Sequence, residues 1–198
     1  MRFRPPCAAN RPDGPADPIG HEDAVARALV ARLGRHHYSS ILKIGCGTAP
    51  LNVELARRAD RFLMLDRSAA AVTQARKFLL SRPQARVRQA SPQHWPRRNF
   101  DLVVLSELPL GMTRFEPRLL ARRCAASLSE CGEIVVLCAG RDDRMQRPGP
   151  AEAFLSEFRK FREMTTVWHP DLCAYMHQTL SAAPSAGANE APANEAIA

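Results

Sequence analysis

The sequence predicts an α/β fold: a mostly parallel sheet with helices on both faces and an antiparallel hairpin at the C-terminal end. Three observations carry this. Between residues 22 and 150, short near-continuous apolar runs alternate with segments of helical periodicity, the pattern of strands buried on both faces and joined by crossover helices. The first run ends in a glycine corner, Gly45-Cys46-Gly47, and the second ends in an acid, Asp66, 21 positions after Gly45 (66 − 45). Finally, two strand-like runs within residues 164–180 leave no room for a crossover helix and must pair antiparallel.

Each element follows from its residues. EDAVARALVARLG (22–34) repeats Val25, Leu29 and Leu33 on one helical face and stops at Gly34. ILKIG (41–45) is a short buried strand. PLNVELARRA (50–59) restarts a helix with proline in the first turn, where a missing N–H costs nothing. FLMLD (62–66) is the second strand, and RSAAAVTQARKFLLS (67–81) is a helix with Val72, Ala75 and Leu79 on one stripe. RVRQA (86–90) reads as a weakly patterned third strand and DLVVLSEL (101–108) as the clearest one. PRLLARRCAASLSE (117–130) is helical and GEIVVLCA (132–139) is a strand. AEAFLSEFRKFREM (151–164) sets Phe154, Phe158 and Phe161 at helical spacing for the core, and the hairpin follows through Pro170–Asp171.

The 198 residues suit one domain with flexible ends. Residues 1–19 carry five prolines and read as a flexible arm. SAAPSAGANEAPANEAIA (181–198) has almost nothing to bury and reads as a disordered tail, leaving a domain over 20–180. No run approaches the ~18 apolar residues of a membrane span, and the N-terminus lacks a signal-like apolar stretch, so cytoplasm is expected.

Six scattered cysteines (Cys7, Cys46, Cys124, Cys131, Cys138, Cys173) have neither zinc spacing nor the look of a disulfide framework, and no metal site is expected. The net charge of +8 comes mostly from arginine on expected solvated helix faces. Without interleaved aromatics, it argues against nucleic acid as the partner.

In an open parallel sheet, ligands bind beyond the carboxyl ends of the strands, where strand order reverses. Glycines at 45 and 47 let the backbone turn and approach a ligand, and an acid ending the second strand can accept from ribose hydroxyls. A dinucleotide also needs a pyrophosphate seat at the third glycine of G-x-G-x-x-G. Here that position is Pro50, which lacks an N–H, so NAD and FAD are disfavoured. A cofactor without phosphates between its ribose and its reactive end fits better.

The stretches YSSILKIGCG, RADRFLMLDRS, SPQHWPRRNFDLVVLSELPL and GEIVVLCAGRDDR resemble the class I S-adenosylmethionine-dependent methyltransferases, with their Rossmann-like sheet. More narrowly they are similar to the nodulation protein S type, N-methyltransferases of an amino sugar at the end of a chitin oligosaccharide. The resemblance covers about residues 20–180. It implies S-adenosyl-L-methionine as cofactor and a small-molecule acceptor, with an amine of an amino sugar or oligosaccharide as the narrower expectation. It sets Gly45, Cys46 and Gly47 beside the methionine portion, Asp66 and the adjoining Arg67 at the ribose, and Ala90, Ser91 and Pro92 along the adenine. Ser106 and Glu107 then lie under the methyl group, with Glu107 the candidate to bind or deprotonate the acceptor and His94 a weaker one.

Three positions depart from the family. Lys43 stands where many members carry an acid that helps hold the cofactor's ammonium, Ala49 stands for glycine, and Ser91 for a common aspartate. Lysine there would have to swing away, or another anion replace the lost one. The alternative reading follows from Lys43 and Ser91: a degenerate methyltransferase fold kept as a binding or interaction module.

Overall fold

The computed structural model describes residues 18–90, 96, 98–106, 116–137, 150–169 and 174–178. Ser91, Glu107, His94, the hairpin turn, the tail and all but the last two residues of the arm lie outside that set.

The chain order is α1 (Pro18–Ala31), β1 (Ile41–Ile44), α2 (Ala49–Arg57), β2 (Phe62–Asp66), α3 (Ala69–Phe78), β3 (Ala85–Gln89), β4 (Phe100–Leu105), α4 (Glu116–Ser127), β5 (Leu128–Leu137), α5 (Pro150–Phe158), β6 (Thr165–His169) and β7 (Ala174–Gln178). The seven strands form one sheet in the order β3-β2-β1-β4-β5-β7-β6. β1 to β5 run parallel, whereas β7 pairs antiparallel with both β5 and β6. The expected class, a Rossmann-like, mostly parallel sheet with helices on both faces and a terminal hairpin, is the observed one.

Alternation along the central strands divides the core in two. Ile41, Met64, Leu102 and Val104 pack against α1, α2 and α3, while Leu42, Leu65, Val103 and Leu105 face α4 and α5. β1 and β4 are buried on both faces because helices cover both sides there, which explains their unbroken apolar runs. β3 lies at the sheet edge, and only Val87 of its five residues is buried, which is why its pattern was weak.

The sequence misplaces two boundaries. Residues 128–130 belong to β5 rather than to the preceding helix. Leu128, which suits a helical face equally well, is 2% exposed and pairs with Phe100; the ladder then resumes at Leu102 with Glu133, so the strand bulges between them. The helix expected over 151–164 ends at Phe158. Phe154 and Phe158 are fully buried and stacked with ring centroids 5.5 Å apart, but Phe161 lies past the helix and is exposed, so the expected stripe loses its third member.

Many arginines are solvated as expected, yet several hold the frame together. Arg58 Nη1 donates to Val30 O near the end of α1 at 2.6 Å, and Arg162 donates to Ala125 O and Leu128 O across the end of α4. Val30 O and Ala125 O are carbonyls that a helix terminus leaves without an internal partner, and Leu128 O lies just beyond, at the start of β5. At the amino ends of the strands, Glu133 Oε2 accepts from Tyr38 Oη at 3.0 Å and from Gly34 N at 2.9 Å, tying the loop before β1 to β5. Burial, the nearby Glu133 charge and the hydrogen bond to it hold the Tyr38 phenol well above its ordinary pKa.

Candidate active site

Sheet order reverses between β1 and β4, because the chain leaves β1 toward β2 and β3 and then returns on the other side. The carboxyl ends of these strands are laced into one rim. Gly45 N donates to Leu65 O, Ala90 N to Asp66 O, and Ser106 N to Ile44 O, each at 2.8 Å. Ala90, Asp66, Gly45 and Ser106 thus stand in spatial order across four adjacent strands. These are four of the residues the sequence singles out, and the parallel ladder is what unites them.

The corner between β1 and α2 depends on its glycines. Gly45 has φ +86° and Gly47 φ +49°, conformations that favour glycine. A Cβ on Gly45 would lie 2.4 Å from Ser106 O, a contact no side chain could keep. A Cβ on Gly47 would lie 3.0 Å from Lys43 Nζ and 3.5 Å from Ser106 Oγ. The backbone at 47 therefore lies close above two polar side-chain atoms.

Asp66 serves the same corner. Its Oδ2 accepts from Cys46 N at 2.7 Å and its Oδ1 from Ser68 N at 2.8 Å, while Ser68 caps α3 by accepting from Ala71 N. Each carboxylate oxygen retains an acceptor site, so the group can still accept from a hydroxyl. Arg67 is exposed beside it, and its carbonyl accepts from Gln89 Nε2. Cys46 is buried, and it is its backbone that is bonded to the strand and helix around it.

Lys43 neither swings outward nor leaves the corner short of a partner. The residue is 0% exposed, and Nζ donates to Gly45 O at 2.7 Å and to Cys46 O at 2.9 Å. Asn52, on the first turns of α2 and 1% exposed, donates from Nδ2 to the same Cys46 oxygen at 2.7 Å. Sequence reasoning overlooked Asn52; the available signal was a lone amide between Leu51 and Val53 just after a glycine corner. Proline is accommodated as expected, since α2 begins at Ala49–Pro50 with Thr48 as its N-cap.

Two buried polar atoms at the corner have no partner among the described residues: Ser106 Oγ and Asn52 Oδ1. A buried hydroxyl left unpaired costs roughly 1–3 kcal/mol. Ser106 Oγ lies on the rim at the reversal point, beside Gly47. Among the described residues no three His, Cys, Asp or Glu side chains gather in a way that could hold a metal ion. No described helix is long and apolar enough to cross a membrane.

Comparison with known proteins agrees with this geometry. Residues 41–132, from β1 to the bulge in β5, match the family of the methyltransferase domain. No curated protein matches by sequence. Among solved structures, a candidate methyltransferase from Pseudomonas syringae is 28% identical, with TM-score 0.65 over 81% of this chain and 98% of the other. The N-methyltransferase NodS from Bradyrhizobium japonicum WM9, solved with S-adenosyl-L-homocysteine, shares the fold at 18% identity, with TM-score 0.64 over 90% and 94% of the two chains. A SAM-bound amino pentose methyltransferase from Micromonospora echinaspora shares it at 17% identity, with TM-score 0.58 over 90% and 98%. The chain has the class I methyltransferase fold, and residues 41–132 resemble a methyltransferase domain; it resembles the S-adenosylmethionine-dependent enzymes of that class, and S-adenosylmethionine is the cofactor which that resemblance assigns to it.

Proposed function

We propose that the chain transfers a methyl group from S-adenosylmethionine to a small-molecule amine, with an amino sugar or an amine-bearing oligosaccharide as the acceptor class. The observation that carries this is the rim at the β1–β4 reversal, where two positive-φ glycines, Asp66 and the unpaired Ser106 Oγ stand together at the carboxyl ends of adjacent strands. The narrower acceptor class takes its support from two structures of similar fold, an N-methyltransferase and an amino pentose methyltransferase.

Gly45, Cys46 and Gly47 line the methionine portion, and the remaining acceptor capacity of Asp66 takes the ribose hydroxyls. Arg67 flanks the ribose, and Ala90 with Ser91 borders the adenine. Ser106 Oγ lies under the reacting centre. The cofactor supplies an already activated methyl group, so the protein's task is to align the acceptor nitrogen behind it and to exclude water. Glu107, the residue after Ser106, binds the acceptor amine and takes the proton the nitrogen loses, leaving a methylated amine. The alternative of a non-catalytic module took its motive from Lys43 and Ser91; Lys43 is bonded into the corner itself, which removes the need for it to swing away, and Ser91 lies outside the described residues.

Calorimetry with S-adenosylhomocysteine tests the cofactor site, with a Kd in the micromolar range expected, as for typical enzyme substrates. Absence of binding by folded protein would refute the reading. Labelled-methyl transfer to a panel of amino sugars and their hydroxyl counterparts tests the acceptor. Label found on oxygen rather than nitrogen would overturn the amine assignment.

A further inference from the structure

We infer that Lys43 and Asn52 are positioning residues for the cofactor corner, and that the lysine does the work of shaping the loop that a charge on the ligand cannot do. This rests on the cofactor reading above and deepens it. Around Cys46, side chains from three different elements hold the backbone of one residue at both its N–H and its carbonyl. Asp66 from the end of β2 accepts from its N–H, while Lys43 from β1 and Asn52 from α2 both donate to its carbonyl. Lys43 also ties down the preceding carbonyl of Gly45.

Two successive carbonyl oxygens therefore converge on one nitrogen, and only a donor can stand between them. An acid at position 43 is acceptor-only when ionised and would face two further acceptors. The lysine and this path of the corner are thus matched to each other. Its nitrogen also occupies the space that a side chain at position 47 would need, as the 3.0 Å approach to a Gly47 Cβ records. The same corner, read from sequence alone, invites the substitution Lys43→Glu as a repair; in the structure that substitution is damaging.

The test measures S-adenosylhomocysteine affinity, steady-state constants and amide hydrogen exchange for wild type, Lys43→Met, Lys43→Glu, Asn52→Leu and the Lys43→Met/Asn52→Leu double variant. Lys43→Met and Asn52→Leu are each expected to raise the cofactor Kd and KM tenfold or more, leaving the acceptor KM unchanged. Their combined effect is expected to fall short of the product of the two, because both act through the Cys46 carbonyl. Lys43→Glu is expected to bind more weakly than Lys43→Met. In unliganded protein, exchange at residues 45–48 should speed at least tenfold in Lys43→Met, with exchange in β1 and β4 unchanged.

Cofactor affinity at or above wild type in Lys43→Glu would overturn the inference, as would unchanged exchange in Lys43→Met. If wild type binds no cofactor but exchange at the corner still speeds, the clamp stands and the cofactor reading falls. Should Lys43→Met fail to fold, Asn52→Leu with wild-type exchange and affinity refutes the proposal by itself.

Discussion

Gly45→Ala is the sharpest probe of how β1 and β4 meet. Alanine at φ +86° costs about 1–2 kcal/mol for the left-handed backbone alone. The added methyl would also sit 2.4 Å from Ser106 O, which is backbone and fixed by the Ser106 N to Ile44 O bond, so the two strand ends must part. Together the expected loss is on the order of 3 kcal/mol, within the range of strained or overpacked substitutions. For a domain of this size that lowers Tm by roughly 6–12 °C. Gly47→Ala makes the comparison: its methyl meets a side-chain tip, Lys43 Nζ, which can yield, so its cost should stay near 1–2 kcal/mol. Scanning calorimetry of both variants, with S-adenosylhomocysteine titrations beside it, reads the difference. A Gly45→Ala protein that melts at or above the Gly47→Ala temperature would refute the geometric argument.

Three other outcomes follow from the same structure. Asp66→Ala removes the acceptor of two backbone N–H groups and the proposed ribose contact, so calorimetry should show cofactor affinity lowered at least tenfold, whereas unchanged affinity would separate Asp66 from the ligand. Phe154→Ala empties a fully buried, stacked position and should cost about 3–5 kcal/mol in urea unfolding, while Phe161→Ala, on the surface, should stay within about 1 kcal/mol. Tyr38 has a folded pKa raised above the ~10 of an unfolded tyrosine, so its contribution to stability is fully present below pH ~10 and is lost as pH rises beyond that. Melts from pH 8 to 11 should therefore fall less steeply for Tyr38→Phe than for wild type over the alkaline limb; parallel curves would refute the assignment.

What the sequence determined by itself was whatever local pattern and chain length dictate. Periodicity located the strands and helices, and Val72, Ala75 and Leu79 are buried on the stripe where spacing put them. The glycine corner, its proline-started helix and the acid ending β2 were legible because each has a local conformational reason. The start of β5 was not, because Leu128 satisfies a helix face and a strand face equally, and only its pairing with Phe100 decides between them. Phe161 shows the same limit, since helical spacing says nothing about where the helix ends. Lys43 is the strongest case. Its identity alone reads as a wrong charge at a ligand site; its meaning depends on which way two carbonyls point and on an amide arriving from α2. Those directions are set by packing between β1, β2, β4 and α2, so only the tertiary structure could turn an apparent defect into a part of the corner.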